Sequence, residues 1–129
     1  MTTPPLLSSN SHGSTPLAHP NIGYSLTDSA RQWPEQIAIA APEAGVFAGR
    51  AGYRCVTFAE LEDDTNQLAA AMVREGLRQD MRIVLMVRPG IDFIAFTFAL
   101  FKAGAVLVLI DPGMGFWHML SCLEAVEPE

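Results

Sequence analysis

Arg82–Gly115 reads RIVLMVRPGIDFIAFTFALFKAGAVLVLIDPGMG, and its order of apolar runs and chain breakers decides the fold. Arg82–Val87 is continuously apolar after its first residue, the pattern of a parallel strand covered on both faces. Pro89-Gly90 turns the chain. Ile91–Ala103 is expected to be a helix: Asp92 in its first turn and Lys102 in its last both match the helix dipole, and Gly104 stops it. Ala105–Ile110 is a second buried strand, closed by Asp111-Pro112-Gly113. Arg82 to Ile110 spans 29 residues, the length of a strand–helix–strand unit, whose crossover should be right-handed. The helix carries Phe93, Phe96, Phe98 and Phe101 on several sides, so it is expected to be almost wholly buried. Packing accounts for these rings better than an aromatic ligand box does.

Downstream, Phe116–Val126 is a helix with Phe116, Leu120 and Leu123 on one side. His118, at its start, stands where open α/β sheets meet ligands, although a single histidine there is more often an ordinary surface residue. Gly113-Met114-Gly115 offers two glycines of a dinucleotide loop. His118 occupies the place of the third, and the acidic residue expected about 20 positions further on would lie beyond Glu129, so that reading is rejected as resting on a lone G-x-G.

Upstream, Phe58–Glu75 is the clearest helix. Thr57 and Glu60 form a capping box, and Phe58, Leu61, Thr65, Leu68, Ala69 and Met72 make one apolar stripe. Gly76 stops it with Leu77 placed over Met72. Glu60, Glu62, Asp63 and Asp64 cluster near its start. They are read as a solvated acidic face favoured by the dipole rather than as a metal site or an acid–base pair. Ile22–Trp33 is a short helix ended by Pro34. Gln36–Ala41 and Tyr53–Val56 are strands, expected to pair antiparallel across a glycine loop, Gly45–Gly52. Gly49-Arg50-Ala51-Gly52 lacks the Gly-Lys-Ser/Thr ending of a phosphate loop and is read as a turn.

With 129 residues, half of them hydrophobic, the chain can bury one domain core. Its formal net charge is −6, Lys102 is its only lysine, and its seven arginines are scattered. Without a basic patch, nucleic-acid binding is not expected, nor is docking on a lipid surface. Ile91–Ile110 has the length of a membrane span. Asp92, Lys102 and Gly104 interrupt it, so helix plus strand is the better account. Cys55 and Cys122 are read as buried thiols in a reducing, cytoplasmic setting. His118 precedes Cys122 by one turn, but two ligands fall short of a structural zinc site. Met1–Pro20, rich in Ser, Thr and Pro, is read as a flexible leader without a targeting signal, with His12 and His19 solvated.

Three ordered segments then resemble the N-terminal region of the adenylate-forming superfamily, the AMP-dependent acyl-CoA synthetase-like ligases. They are WPEQIAIA, VTFAELEDDTNQLAAAMVREGL and RIVLMVRPGIDFIAFTFALFKAGAVLVLIDP. The resemblance as a whole begins with the early helix, covers about residues 21–129 and leaves out the leader. The ending FALFKAGAVLVLIDPGMG is most similar to fatty acyl-CoA ligase-type members, among them β-lactone synthetases of olefin biosynthesis. Leu109 stands where many relatives carry proline.

The resemblance implies an α/β fold, a partial doubly wound parallel sheet with flanking helices. It implies a parent enzyme that joins a fatty or other carboxylic acid to AMP using ATP and Mg2+, and then to CoA. The family's Ser/Thr/Gly-rich phosphate loop, adenine-binding segment and C-terminal lysine domain have no counterpart in this sequence. The expectation is therefore a truncated N-terminal piece, inactive alone, with no catalytic, cofactor-binding or metal-binding residue and no cofactor of its own. Two further readings are carried: a non-catalytic module that self-associates or binds a partner through an uncovered sheet edge, and a membrane-anchored fragment held by Ile91–Ile110.

Overall fold

The computed structural model describes residues 21–42 and 52–128. The leader, with His12 and His19, and all but Gly52 of the expected glycine loop lie outside them. The elements run α1 (Gly23–Gln32), β1 (Ile37–Pro42), β2 (Tyr53–Thr57), α2 (Phe58–Arg74), β3 (Arg82–Leu85), α3 (Ile91–Lys102), β4 (Val106–Leu109), a 3-10 turn (Pro112–Met114) and α4 (Phe116–Val126).

They build an α/β structure with two small sheets. β1 and β2 pair antiparallel from Ile37↔Thr57 to Pro42↔Tyr53, with a bulge between Ile37 and Ile39. β3 and β4 pair parallel from Arg82↔Val106 to Leu85↔Leu109, and α3 is the crossover between them. The expected strand–helix–strand unit is thus present, and the expected hairpin forms a separate sheet.

Local chemistry sets the helix ends. At the start of α2, Glu60 N–H donates to Thr57 Oγ1 at 3.3 Å while Thr57 N–H donates to Glu60 Oε2 at 2.9 Å, completing the capping box. At its end, Gly76 takes φ +108°, its N–H donates to the Val73 carbonyl, and Leu77 N–H donates to that of Met72. The same paired bonds close α3, from Gly104 to Phe101 and from Ala105 to Leu100, with Gly104 at φ +79°. In both helices glycine accepts a backbone twist that a Cβ would oppose.

The core joins Leu26 of α1, Val56 of β2, Leu61 of α2, and Ile91 and Ala95 of α3. α3 is the common element, packing against α1, α2, β1 and β4.

Three burial expectations are corrected. Within α3, Ile91, Ala95, Ala99 and Leu100 are buried, but its four phenylalanines are only half-buried, because the described elements enclose the helix on part of its circumference. The parallel strands are not covered on both faces: Val106 and Leu109 are 46% and 57% exposed, since β4 packs substantially only against β3 and α3 among the described elements. Cys55 is exposed and Cys122 half-buried, both as free thiols. No described helix is long and apolar enough to cross a membrane. The Ile91–Ile110 segment is divided between α3 and β4, and twelve helical residues reach only ~18 Å of a ~30 Å hydrocarbon layer.

Candidate functional site

The densest polar arrangement lies where α1, α2 and α3 meet. On α2, Glu62, Thr65 and Asn66 are spaced i, i+3, i+4 and share one face. Opposite them the last residue of α3, Lys102, turns its side chain inward, leaving it 6% exposed. Its ammonium donates to Glu62 Oε2 at 2.6 Å, Thr65 Oγ1 at 2.8 Å and Asn66 Oδ1 at 2.8 Å. Three protons meet three acceptors, the full capacity of the group.

Glu62, whose side chain is 14% exposed, also accepts from Thr27 Oγ1 of α1 at 2.7 Å and from Asn66 Nδ2 at 3.1 Å. Thr65 is wholly buried and donates to the Glu62 carbonyl. Burial pushes the Glu62 carboxyl up, but the bonds from Lys102, Thr27 and Asn66, with the Lys102 charge, outweigh it and hold the carboxyl below its ordinary value. Glu60, two residues earlier and exposed, is also held low, by the backbone and hydroxyl of Thr57. The acidic cluster is therefore not one solvated face. Asp63 and Asp64 are exposed, Glu60 caps the helix, and Glu62 belongs to an interior ion pair.

A second junction adjoins the first. Asn21 Oδ1 accepts from Gly23 N–H at 2.8 Å at the start of α1, and its Nδ2 donates to the Phe101 carbonyl at the end of α3. One amide thus serves two helix ends that lack intrahelical partners. Gly23 sits so close that a Cβ there would lie 2.8 Å from the Lys102 backbone nitrogen.

This arrangement clasps three helices. It offers no free nucleophile or proton carrier, because every proton of the ammonium is already committed. Among the described residues no buried side-chain nitrogen or oxygen lacks a partner, and no group of three or more His, Cys, Asp or Glu could hold a metal ion. The clasp itself offers a triphosphate with its Mg2+ no free cation, because the ammonium of Lys102 is spent on Glu62, Thr65 and Asn66.

His118 is exposed in the first turn of α4, beyond the carboxyl end of β4. Cys122, one turn later, has Met114 Sδ as its neighbour, 3.9 Å from its Sγ. Gly113 N–H binds back to Asp111 Oδ1 at 2.8 Å, a local turn rather than an open phosphate loop. Residues 49–51 of the glycine-rich turn lie outside the described residues. Sequence reading missed Asn21, Thr27, Thr65 and Asn66 as polar partners. The available signal was a single lysine at the end of an apolar helix and a Glu-x-x-Thr-Asn face; the 40-residue separation of Lys102 from Glu62 hid their pairing.

Comparison with known proteins gives a consistent picture. The family model described as AMP-binding enzyme matches residues 26–129. An olefin beta-lactone synthetase of Xanthomonas campestris is 41% identical over 110 residues, covering 84% of this chain and 20% of that protein. One from Stenotrophomonas maltophilia is 39% identical over 111 residues, with the same coverage. Among solved structures, a Mycobacterium tuberculosis fatty acyl CoA synthetase superposes with a TM-score of 0.72 at 22% identity, covering 84% of this chain and 20% of that one. The chain spans about a fifth of the length of the curated relatives it matches.

Proposed function

The chain belongs to the AMP-binding enzyme family of adenylate-forming ligases, and from that premise we propose that it forms the opening scaffold of an enzyme that converts a 3-hydroxy carboxylic acid and MgATP into a β-lactone. The observation carrying this reading is the 41% identity to an olefin beta-lactone synthetase across 84% of the chain. It favours lactone closure over the fatty acid–CoA ligation that the sequence motifs alone suggest first.

The chemistry is leaving-group replacement. A carboxylate resists attack, so ATP first makes it an acyl-adenylate and pyrophosphate departs. The hydroxyl oxygen on the β-carbon then bonds to the acyl carbon, the acyl–phosphate bond breaks, AMP leaves with the electron pair, and the hydroxyl proton passes to solvent or a base. In a CoA ligase a thiol would take the hydroxyl's place. Either route needs donors aimed at developing phosphate and oxyanion charge. In this reading the chain's part is structural: the clasp at Lys102 fixes three helices beside the strand–helix–strand unit. Cytoplasmic residence belongs to the same reading, motivated by the need for ATP and the two free cysteines.

The test begins at the gene. Read past codon 129, the frame should continue into a Ser/Thr/Gly-rich loop. The protein of the whole frame, given MgATP and a long-chain 3-hydroxy acid, should release AMP and a product lighter than the acid by one water. A CoA thioester formed only when CoA is added would replace lactone closure with acid–CoA ligation. No AMP from any carboxylic acid would overturn both.

A further inference from the structure

We propose that α1 is a lid on the interior ion pair of Lys102 and Glu62, and that it opens ahead of the rest of the fold when Glu62 takes up a proton. Gly23, Leu26 and Thr27 share one face of α1, with Gly23 and Leu26 buried. Gly23 lies on the stem of Lys102: a Cβ there would come within 3.0 Å of Lys102 Cγ. One turn on, Thr27 Oγ1 donates to Glu62 Oε1 at 2.7 Å. The helix thus touches both partners at once, and their side chains are left only 6% and 14% exposed.

Both oxygens of the Glu62 carboxylate already accept bonds, Oε2 from Lys102 and Oε1 from Thr27 and Asn66. A proton on either oxygen displaces one of them and cancels the charge opposite Lys102. The ammonium is then buried against two neutral oxygens, Thr65 Oγ1 and Asn66 Oδ1, and a buried charge without its counter-charge draws in water. Those two bonds still join α2 to α3, so the element that yields is α1. Its ten residues fall short of the length at which a helix holds alone. Leu26 in the core and the Asn21 bonds do not titrate; they keep α1 docked most of the time, and protonation raises how often it lifts. Among the described residues the elements packed around α2 turn one charge toward Glu62, that of Lys102. On α1, Asp28 and Arg31 pair with each other in solvent. Asp92 is exposed at the far end of α3, Tyr53 and Arg54 are exposed on β2, and β1 has no titratable group. On α2 itself Glu60 is held in its cap, and Asp63 and Asp64 are exposed. Burial raises the Glu62 carboxyl, and the bonds from Lys102, Thr27 and Asn66, with the Lys102 charge, bring it below its ordinary 4.5. The lid is therefore closed above that pH and opens as pH falls through the lower folded value.

Amide hydrogen exchange read by mass spectrometry on the purified 129-residue chain, between neutral pH and about pH 3 and corrected for the intrinsic rate at each pH, tests this. Protection of residues 23–32 should be steady near neutrality and fall about tenfold or more below pH 4.5, the effect of one lost hydrogen bond to a charged group. Residues 58–74 and 91–102 should keep theirs over the same range. Glu62→Gln should show the weakly protected α1 already at neutral pH. E62L/K102M, with both charges removed, should hold the protection of α1 constant throughout. Protection lost together in all three helices, or first in α2 or α3, would overturn the proposal. So would an α1 that stays fully protected in Glu62→Gln, or one that loosens in E62L/K102M at the same pH as in the parent. The parent's titration decides without any variant, and since neither ATP nor an acid substrate enters, it is independent of the ligase reading.

Discussion

The ion pair between Lys102 and Glu62 is where a single residue matters most. Breaking one side of a buried, hydrogen-bonded pair strands the other charge, whereas replacing both with apolar groups removes the desolvation cost as well. Lys102→Met should therefore lower unfolding free energy by about 3–5 kcal/mol, and adding Glu62→Leu should recover most of that loss, both read from urea denaturation. The pH dependence follows from the depressed Glu62 carboxyl. Its stabilisation is fully present above the ordinary value of 4.5 and is lost as pH falls through the lower folded value. The stability gap between the parent and Glu62→Gln should thus be constant near neutrality and close below pH 4.5. At this scale the sequence was legible where partners are neighbours: the Thr57–Glu60 cap was readable because three residues separate its members. Thr27, Glu62 and Lys102 became partners only once three helices had packed, and no local pattern encodes that.

At the scale of elements, glycines mark where helices end and where they touch. Gly104→Ala must place a side chain at φ +79° with the Gln79 side chain 3.2 Å away, and should cost about 1–2 kcal/mol. Gly23→Ala faces backbone instead: the Lys102 nitrogen at 2.8 Å cannot swing aside, so α1 must shift from α3 at a cost of about 1–3 kcal/mol. Both are measurable as shifts in the urea midpoint at unchanged slope. The role of Gly104 was readable from sequence, since a glycine follows the last helical residue. That of Gly23 was not, because close approach depends on the crossing of α1 and α3. Element type and order were likewise legible from periodicity and breakers. Strand burial was overestimated, because an apolar run states what a strand can bury and not what is there to cover it. β4 illustrates this: Leu109 is 57% exposed.

For the whole molecule, three packed helices and a clasped junction accompany a parallel strand pair with uncovered apolar surface. The family was legible because ordered motifs along the chain belong together. Substrate was not, because no single motif among them is particular to one acid. The purified chain should therefore give no ATP–pyrophosphate exchange with any carboxylic acid. The most direct measurement replaces the matched segment of the Xanthomonas campestris olefin beta-lactone synthetase with residues 26–128 of this chain and measures that exchange in the soluble, folded chimera. Exchange within about tenfold of the parent enzyme, a loss of about 1.4 kcal/mol in barrier height or less, is the result the scaffold role predicts. A folded chimera with no exchange at all would contradict it.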